Sequence, residues 1–270
     1  MRISVVQFGN LHTFKHLTTG NEFNLASLDG DDDWLSLSMK NHKEYCDLHG
    51  YSYFFHELED FPNDRNISWY KIPAILSAFA AQDDVDIEIH EPQWVFYCDL
   101  DTLVMNKSVE LEDIINRAEF LGKDLILPKN KNFKSRTMNS KEKNIKKGIN
   151  FGQFFIKNCA WSKLWLSKLW QFPLNYINHL DLLKTKYHDN CACNIMLKSN
   201  IFETKNNSIL VANKLFNSYL NEIASSRESY LERQEYYYKD GDFKIHFADI
   251  DFETRQERMT EYYMRCVENK

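Results

Sequence analysis

Short β-type runs alternating with amphipathic helical stretches predict an α/β chain with a mostly parallel central sheet flanked by helices. Three observations carry this expectation. Apolar runs recur at Arg2 to Phe8, Trp94 to Cys98, Leu125 to Leu127 and Phe154 to Ile156. Helix-type caps and one-sided apolar faces fill the intervals between them. With 270 residues, 43% of them hydrophobic and 14% aromatic, the chain can build one substantial core, so a single domain over 1–270 is expected.

Each element follows in order. The first strand closes at Gly9-Asn10, and the acidic run Asp31-Asp32-Asp33 then supplies an N-cap and favourable first-turn charge for a helix ending at Gly50. Tyr51, Tyr53 and Phe55 alternate as a second strand. Ser68 can cap a helix with Pro73 in its first turn or so and Ile72, Ile75, Leu76 and Phe79 on one face. After the strands at 125–127 and 154–156 comes a helix with Trp161, Leu164, Trp165 and Leu169 on one side, and Glu253 to Asn269 has the pattern of a packed terminal helix. Between Lys129 and Lys147 eight positions are Lys or Arg and few are apolar. That stretch is a surface loop, either a solvated connection or a lid over a phosphorylated ligand.

Charge and cysteine usage narrow the partners. A net charge of −6 and a pI near 5.9 argue against general nucleic-acid binding, which needs a positive surface, so the ligand is small and held locally. No apolar run reaches the roughly 18 residues of a membrane span, and Met1-Arg2-Ile3-Ser4 enters a strand directly, so a soluble, cytoplasmic protein is expected. The six cysteines show no disulfide framework spacing and fit a reducing compartment. Cys191-Ala192-Cys193 is half of a soft-metal site or simply helix packing, and no second Cys/His pair at zinc spacing accompanies it.

The strand Trp94-Val95-Phe96-Tyr97-Cys98 ends in Asp99-Leu100-Asp101, two carboxylates one residue apart at the carboxyl end of a buried strand. Side chains of an extended segment alternate with period two, so both project to one side. In a doubly wound, Rossmann-like sheet such strand ends form the ligand crevice. Two hard oxygen ligands with open positions suit Mn²⁺, or Mg²⁺, holding a diphosphate.

Five blocks in order resemble glycosyltransferase family 34, the galactosyl-, mannosyl- and xylosyltransferase group of fungal and plant Golgi enzymes. They are Asn41 to Tyr53, Ser68-Trp69-Tyr70-Lys71-Ile72-Pro73-Ala74, Trp94 to Asn106, Ile149 to Asn158 continued by Trp161-Ser162, and Gly241 to Ala248. The resemblance implies a GT-A fold, with 1–106 as the nucleotide- and metal-binding half and 107–270 as the acceptor and catalytic half. It implies a divalent cation, usually Mn²⁺, and transfer of a hexose or pentose, galactose or xylose foremost, from a UDP-sugar with retention of configuration. The acceptor would be an oligosaccharide, glycoprotein or glycolipid. Asp99 and Asp101 match the family's metal motif, and His246 matches the histidine completing the coordination; without the resemblance it is an ordinary packed or surface histidine. Asp189-Asn190 stand where the family carries Asp-Gln, which makes Asp189 the candidate for stabilising or attacking the anomeric carbon, with an ordinary helix N-cap as its alternative. Asn150 and Gln153 would contact sugar hydroxyls and, with Asp99, hold the donor. Lys71 would offset phosphate charge or be an exposed helix cation.

The chain departs from the family pattern in places. Asn190 is one methylene shorter than Gln, Phe151 and Gln153 replace Thr and Ser, and Ala248-Asp249-Ile250-Asp251 replaces a Gly-Cys-Lys-like continuation. A basic phosphate contact is therefore missing there, and a lysine from the 129–147 loop is the expected substitute. The membrane anchor and stem of Golgi members are absent, which suggests a bacterial or viral-type enzyme. Two other classes stand beside the transferase: a catalytically inactive nucleotide-sugar or glycan-binding domain, favoured by the missing basic residue, and a metal-dependent phosphohydrolase, which would need further downstream carboxylates.

Overall fold

The computed structural model describes residues 1–9, 33–57, 65–80, 92–130, 148–176, 189–221 and 234–268, and these form two sheets. In chain order the principal elements are β1 (Ile3–Gly9), α1 (Trp34–His49), β2 (Ser52–Glu57), α2 (Lys71–Ala80), β3 (Trp94–Cys98), β4 (Thr102–Val104), α3 (Leu111–Phe120), β5 (Leu125–Pro128), β6 (Gln153–Lys157), α4 (Ala160–Tyr176), α5 (Asp189–Lys198), β7 (Ser208–Val211), β8 (Ser218–Tyr219), β9 (Lys244–His246) and α6 (Phe252–Glu268). The larger sheet has the order β2-β1-β3-β6-β5-β7, the smaller β4-β9-β8. Both sheets draw strands from 1–106 and from 107–270.

In the larger sheet β2, β1 and β3 are parallel, as are β5 and β7, while β6 runs antiparallel to β3 and β5. The mostly parallel sheet expected from the sequence is present, with one strand reversed. The reversal places the start of β6 beside the end of β3, with Cys98 opposite Gln153. Residues 150–153 and Asp99 thereby reach the same edge from opposite chain directions. Alternation within β1 and β3 sends Val6, Phe8, Val95 and Tyr97 to one face, under α2, α4 and α5, and Ile3, Val5, Trp94 and Phe96 to the other, under α1 and α3. Both faces are buried, which explains why these strands look like continuous apolar runs.

Local chemistry sets the helix ends. Asp33 caps α1 by accepting from Leu35 N at 3.3 Å, whereas Asp31 and Asp32 lie outside the described residues. Gly50 ends α1 at φ 71°, a left-handed conformation that glycine adopts without a Cβ penalty. The cap before α2 is Asn66 rather than Ser68: Asn66 Oδ1 accepts from Ser68 N at 3.0 Å and opens a short 3-10 turn, Ile67–Tyr70, that leads into the helix. In α4 the buried face is Trp165, Leu166, Leu169 and Phe172, while Leu164 is 53% exposed, one step round from where the apolar pattern placed it. The terminal helix α6 packs, as expected, sharing a cluster with Trp34, Leu103 and Phe247. No helix of the described residues is long and apolar enough to cross a membrane. All six cysteines are free, and the Cys191-Ala192-Cys193 segment is packed within α5.

A polar brace joins the two sheets beneath the end of β3. The fully buried Lys244 ammonium stands 2.8 Å from His42 Nε2 and 2.9 Å from Cys98 Sγ, over the Phe96 ring. His42 Nδ1 is 2.8 Å from the Ser38 carbonyl, which can only accept, so the ring proton sits on Nδ1. Burial, reinforced by the neighbouring Lys244 charge, holds the His42 pKa well below its ordinary value. A base depressed in the folded state contributes stability that is fully present above the unfolded pKa of about 6.5 and lost as pH falls below it. The thermal midpoint should therefore drop between pH 7 and pH 5, and calorimetry on His42→Gln should find a shallower drop. An unchanged pH slope would exclude His42 as the titrating group.

Candidate metal centre

Asp99-Leu100-Asp101 is the linker that carries the chain from β3 of the larger sheet to β4 of the smaller one. β4 pairs with β9 in the register Thr102 opposite His246, and Phe247 N donates to the Asp101 carbonyl at 2.8 Å. That pairing brings a residue 145 positions later onto the acidic linker. Ligand atoms of Asp99, Asp101 and His246 all lie within 4.8 Å of one another, the one grouping of its kind among the described residues. His246 Nε2 faces Asp101 Oδ1 at 3.2 Å.

The histidine is oriented from behind. Asn217 Oδ1 stands 2.8 Å from His246 Nδ1 and accepts from Gln153 Nε2 at 2.9 Å. The ring proton therefore belongs on Nδ1, which leaves the Nε2 lone pair pointing at a carboxylate oxygen. Two acceptors in that position repel unless a cation or a proton lies between them. Burial would raise the Asp101 pKa, but His246 and Arg255 outweigh it and bring the carboxyl down to about 2. At Asp99, burial and the Asp101 charge prevail over Lys71 and raise the carboxyl above its ordinary value. Two carboxylates and a neutral imidazole, with the second ring nitrogen held by an amide, form a donor set that fits Mn²⁺.

Gly152 closes one side of this cluster. A Cβ built on it would lie 2.5 Å from Asp99 Oδ2, 2.9 Å from Asn150 Oδ1 and 3.1 Å from His246 Cε1. Asp99 is a short side chain with little freedom to retreat, because Tyr97 Oη donates to its Oδ1 at 2.7 Å and Lys71 Nζ lies 3.4 Å away. Gly152→Ala should weaken Mn²⁺ affinity about ten- to a hundredfold, the range for disturbed ligand orientation, in a protein that still folds. Calorimetric titration with Mn²⁺ reading wild-type affinity would show that the cluster tolerates the extra carbon.

The other residues singled out in the sequence are placed around this cluster. Lys71 is buried at 2% exposure, not an exposed helix cation: its ammonium donates to the Phe151 carbonyl at 2.7 Å and pairs with Asp189 Oδ2 at 2.8 Å and Asp99 Oδ1 at 3.4 Å. Burial disfavours its charge, but Asp189 and Asp99 prevail and raise its pKa. Asp189, also 2% exposed, opens α5, so Lys71 links this carboxylate to the Asp99-Asp101-His246 cluster. Asn150 donates to Tyr219 Oη at 2.8 Å and accepts from Gly152 N at 2.7 Å, in a half-buried position beside the cluster. Asn190 is half-buried, and its carbonyl accepts from Asn194 Nδ2 at 2.9 Å. Gln153 is fully buried with its Nε2 donating to Asn217, which places it behind His246.

Several residues at the site carry no local sequence signal. Asn217 orients His246, and Tyr219 stacks on the His246 ring at 5.8 Å while donating to Asn130 Oδ1. Asn194 accepts from Ile149 N at 3.0 Å and donates back to the Ile149 carbonyl at 3.3 Å, tying the 149–153 segment to α5. Arg255, in the first turn of α6, brings Nη2 to 3.6 Å from Asp101 Oδ2. It supplies a cation beside the very segment where the sequence lacked one. The expected substitutes, lysines of the 129–147 loop, lie outside the described residues apart from Lys129.

This mixed sheet with an acidic linker at the end of β3 is a GT-A glycosyltransferase fold. The glycosyltransferase involved in glycosylation of the major capsid of PBCV-1 superposes with a TM-score of 0.59 at 13% identity, covering 97% of this chain and 100% of that one. The apo-form glycosyltransferase GlyE of Streptococcus pneumoniae TIGR4 gives 0.51 at 11% identity over 99% of this chain and 63% of that one. The chain belongs to the galactosyl transferase GMA12/MNN10 family, whose model matches residues 17–257. An alpha-1,2-galactosyltransferase of Schizosaccharomyces pombe is 26% identical over 162 residues, 53% of this chain and 40% of the relative. The probable alpha-1,6-mannosyltransferase MNN10 of Saccharomyces cerevisiae is 27% identical over 161 residues, 53% of this chain and 38% of the relative. The alignments thus span about two fifths of the curated relatives' length.

Proposed function

We propose that this protein is a metal-dependent glycosyltransferase that moves a hexose or pentose, galactose or xylose foremost, from a UDP-sugar to an oligosaccharide, glycoprotein or glycolipid acceptor with retention of configuration. The observation that carries the reading is the convergence of Asp99, Asp101 and His246 at the carboxyl end of β3 in a chain of this family. Asp99, Asp101 and His246 would hold Mn²⁺, which when bound neutralises charge gathering on the departing diphosphate.

The remaining roles fall to the protein's own groups. Asn217 and Gln153 keep Nε2 of His246 free for coordination. Asp189, held by Lys71, presents a buried negative charge suited to stabilising or attacking an oxocarbenium-like carbon. Asn150 and Asn190 offer amide groups at the half-buried edge for sugar hydroxyls, and they fix the orientation that turns a collision into a near-attack geometry.

The test is nucleotide release from UDP-galactose, UDP-xylose, UDP-glucose and GDP-mannose with Mn²⁺, an EDTA control, and NMR of the product's anomeric configuration. Metal-dependent UDP release with retained configuration is the expected result. Nucleotide and metal binding without turnover on any donor and acceptor would make the chain a nucleotide-sugar-binding domain, and phosphate release from monoesters a phosphohydrolase.

A further inference from the structure

Two cations touch the acidic linker, and they differ in what they have left to offer. Lys71 is buried, with its ammonium committed to the Phe151 carbonyl, Asp189 and Asp99. Arg255 is partly open, its side chain 21% exposed. Its Nε donates to the Phe247 carbonyl at 3.3 Å and its Nη2 to the Ile250 carbonyl at 3.2 Å, so two main-chain oxygens fix the guanidinium plane over the Trp34 ring. Toward Asp101 Oδ2 the separation is 3.6 Å, an ion pair without a hydrogen bond. Among the described residues, Nη1 has no hydrogen-bond partner. Arg255 is therefore oriented and charged, yet uncommitted on one edge.

The charges around the cluster say when that edge becomes useful. Asp99 and Asp189 face Lys71, and Asp101 faces Arg255. A divalent cation held by Asp101 would answer the carboxylate charge that Arg255 now answers, which would leave the guanidinium available to an anionic ligand. We infer that Arg255 is the group that receives the diphosphate of the nucleotide donor, through the N–H groups that Asp101 does not engage. A guanidinium suits this task because its planar fork matches phosphate oxygens in pairs. This inference rests on the nucleotide-sugar reading above.

Calorimetric titration of the full chain with UDP in saturating Mn²⁺, with Mn²⁺ alone, and with uridine followed by saturation-transfer NMR tests it. Arg255→Met should weaken UDP binding about ten- to a hundredfold, the range for losing a hydrogen bond to a charged group. Uridine binding and Mn²⁺ binding should be retained, and Arg255→Lys should recover part of the UDP affinity. Should Arg255→Met fail to fold, Arg255→Gln offers amide donors near the Phe247 and Ile250 carbonyls without the charge and permits the same comparison. Unchanged UDP affinity would overturn the assignment. So would a loss of Mn²⁺ affinity matching that of UDP, which would make Arg255 a positioning residue for Asp101. A wild-type protein that binds neither UDP nor GDP with Mn²⁺ would remove the donor reading itself, an outcome distinct from a wild type that binds and a variant that binds equally.

Discussion

Asp101→Asn is expected to lower Mn²⁺ affinity, and with it Mn²⁺-dependent UDP binding, by more than a hundredfold. The substitution removes one of the three candidate ligands outright, so its effect should exceed the ten- to hundredfold typical of disturbing an outer partner. It should also lower stability, for a separate reason. The folded carboxyl is held at about 2 by His246 and Arg255, against an ordinary value near 3.9. A depressed acid contributes stability that is present above the unfolded pKa and lost as pH falls through the folded one, here between about pH 4 and pH 2. Above that window the metal-free variant should be less stable than the wild type, yet still folded. Calorimetry and thermal melts separate the two effects. Wild-type Mn²⁺ and UDP affinities in this variant would end the assignment of the metal site.

Lys71→Met should be the most destabilising single change at the site. It leaves the Asp189 carboxylate, 3% exposed, without its 2.8 Å partner and removes the cation beside Asp99. Breaking a buried pair from one side costs about 3–5 kcal/mol because an uncompensated charge stays behind. Asp189→Asn is the informative companion. It keeps the size of the side chain and a polar atom toward Lys71, so UDP affinity should hold within a few-fold while turnover falls at least a hundredfold, the pattern of an interaction made only in the transition state. Equal losses of binding and rate in Asp189→Asn, or unfolding as severe as in Lys71→Met, would reduce Asp189 to a structural counter-ion.

What the sequence made legible was whatever is written locally. Trp94 to Asp101 encodes a buried strand and its acidic end in consecutive residues, whereas His246 was marked only by the resemblance of the Gly241 to Ala248 block to the family. The direction of β6 was not legible, because an apolar run such as Gln153 to Lys157 has the same period read either way. Arg255 and Asn217 were missed for a related reason. Each stands in an ordinary local pattern, the first turn of a charged helix and a polar connection, and acquires its surroundings only when β9 pairs with β4 and with β8. Gln153 lies in the right block, and its placement, fully buried with Nε2 donating to Asn217, is likewise set by long-range pairing rather than by any local pattern.

The central place of β9 in the smaller sheet bears on the order of events as the chain is synthesised. The larger sheet has all of its described strands once Val211 has been made. The smaller sheet has none of its pairings until Lys244 to His246 emerge, because β4 and β8 each bond to β9 and not to each other. For the intervening stretch of translation the chain contains Asp99 and Asp101 but not His246. A nascent chain of that length holds both carboxylates of the candidate metal centre and lacks its imidazole, so the three-residue cluster can be complete only once the last described strand has been made.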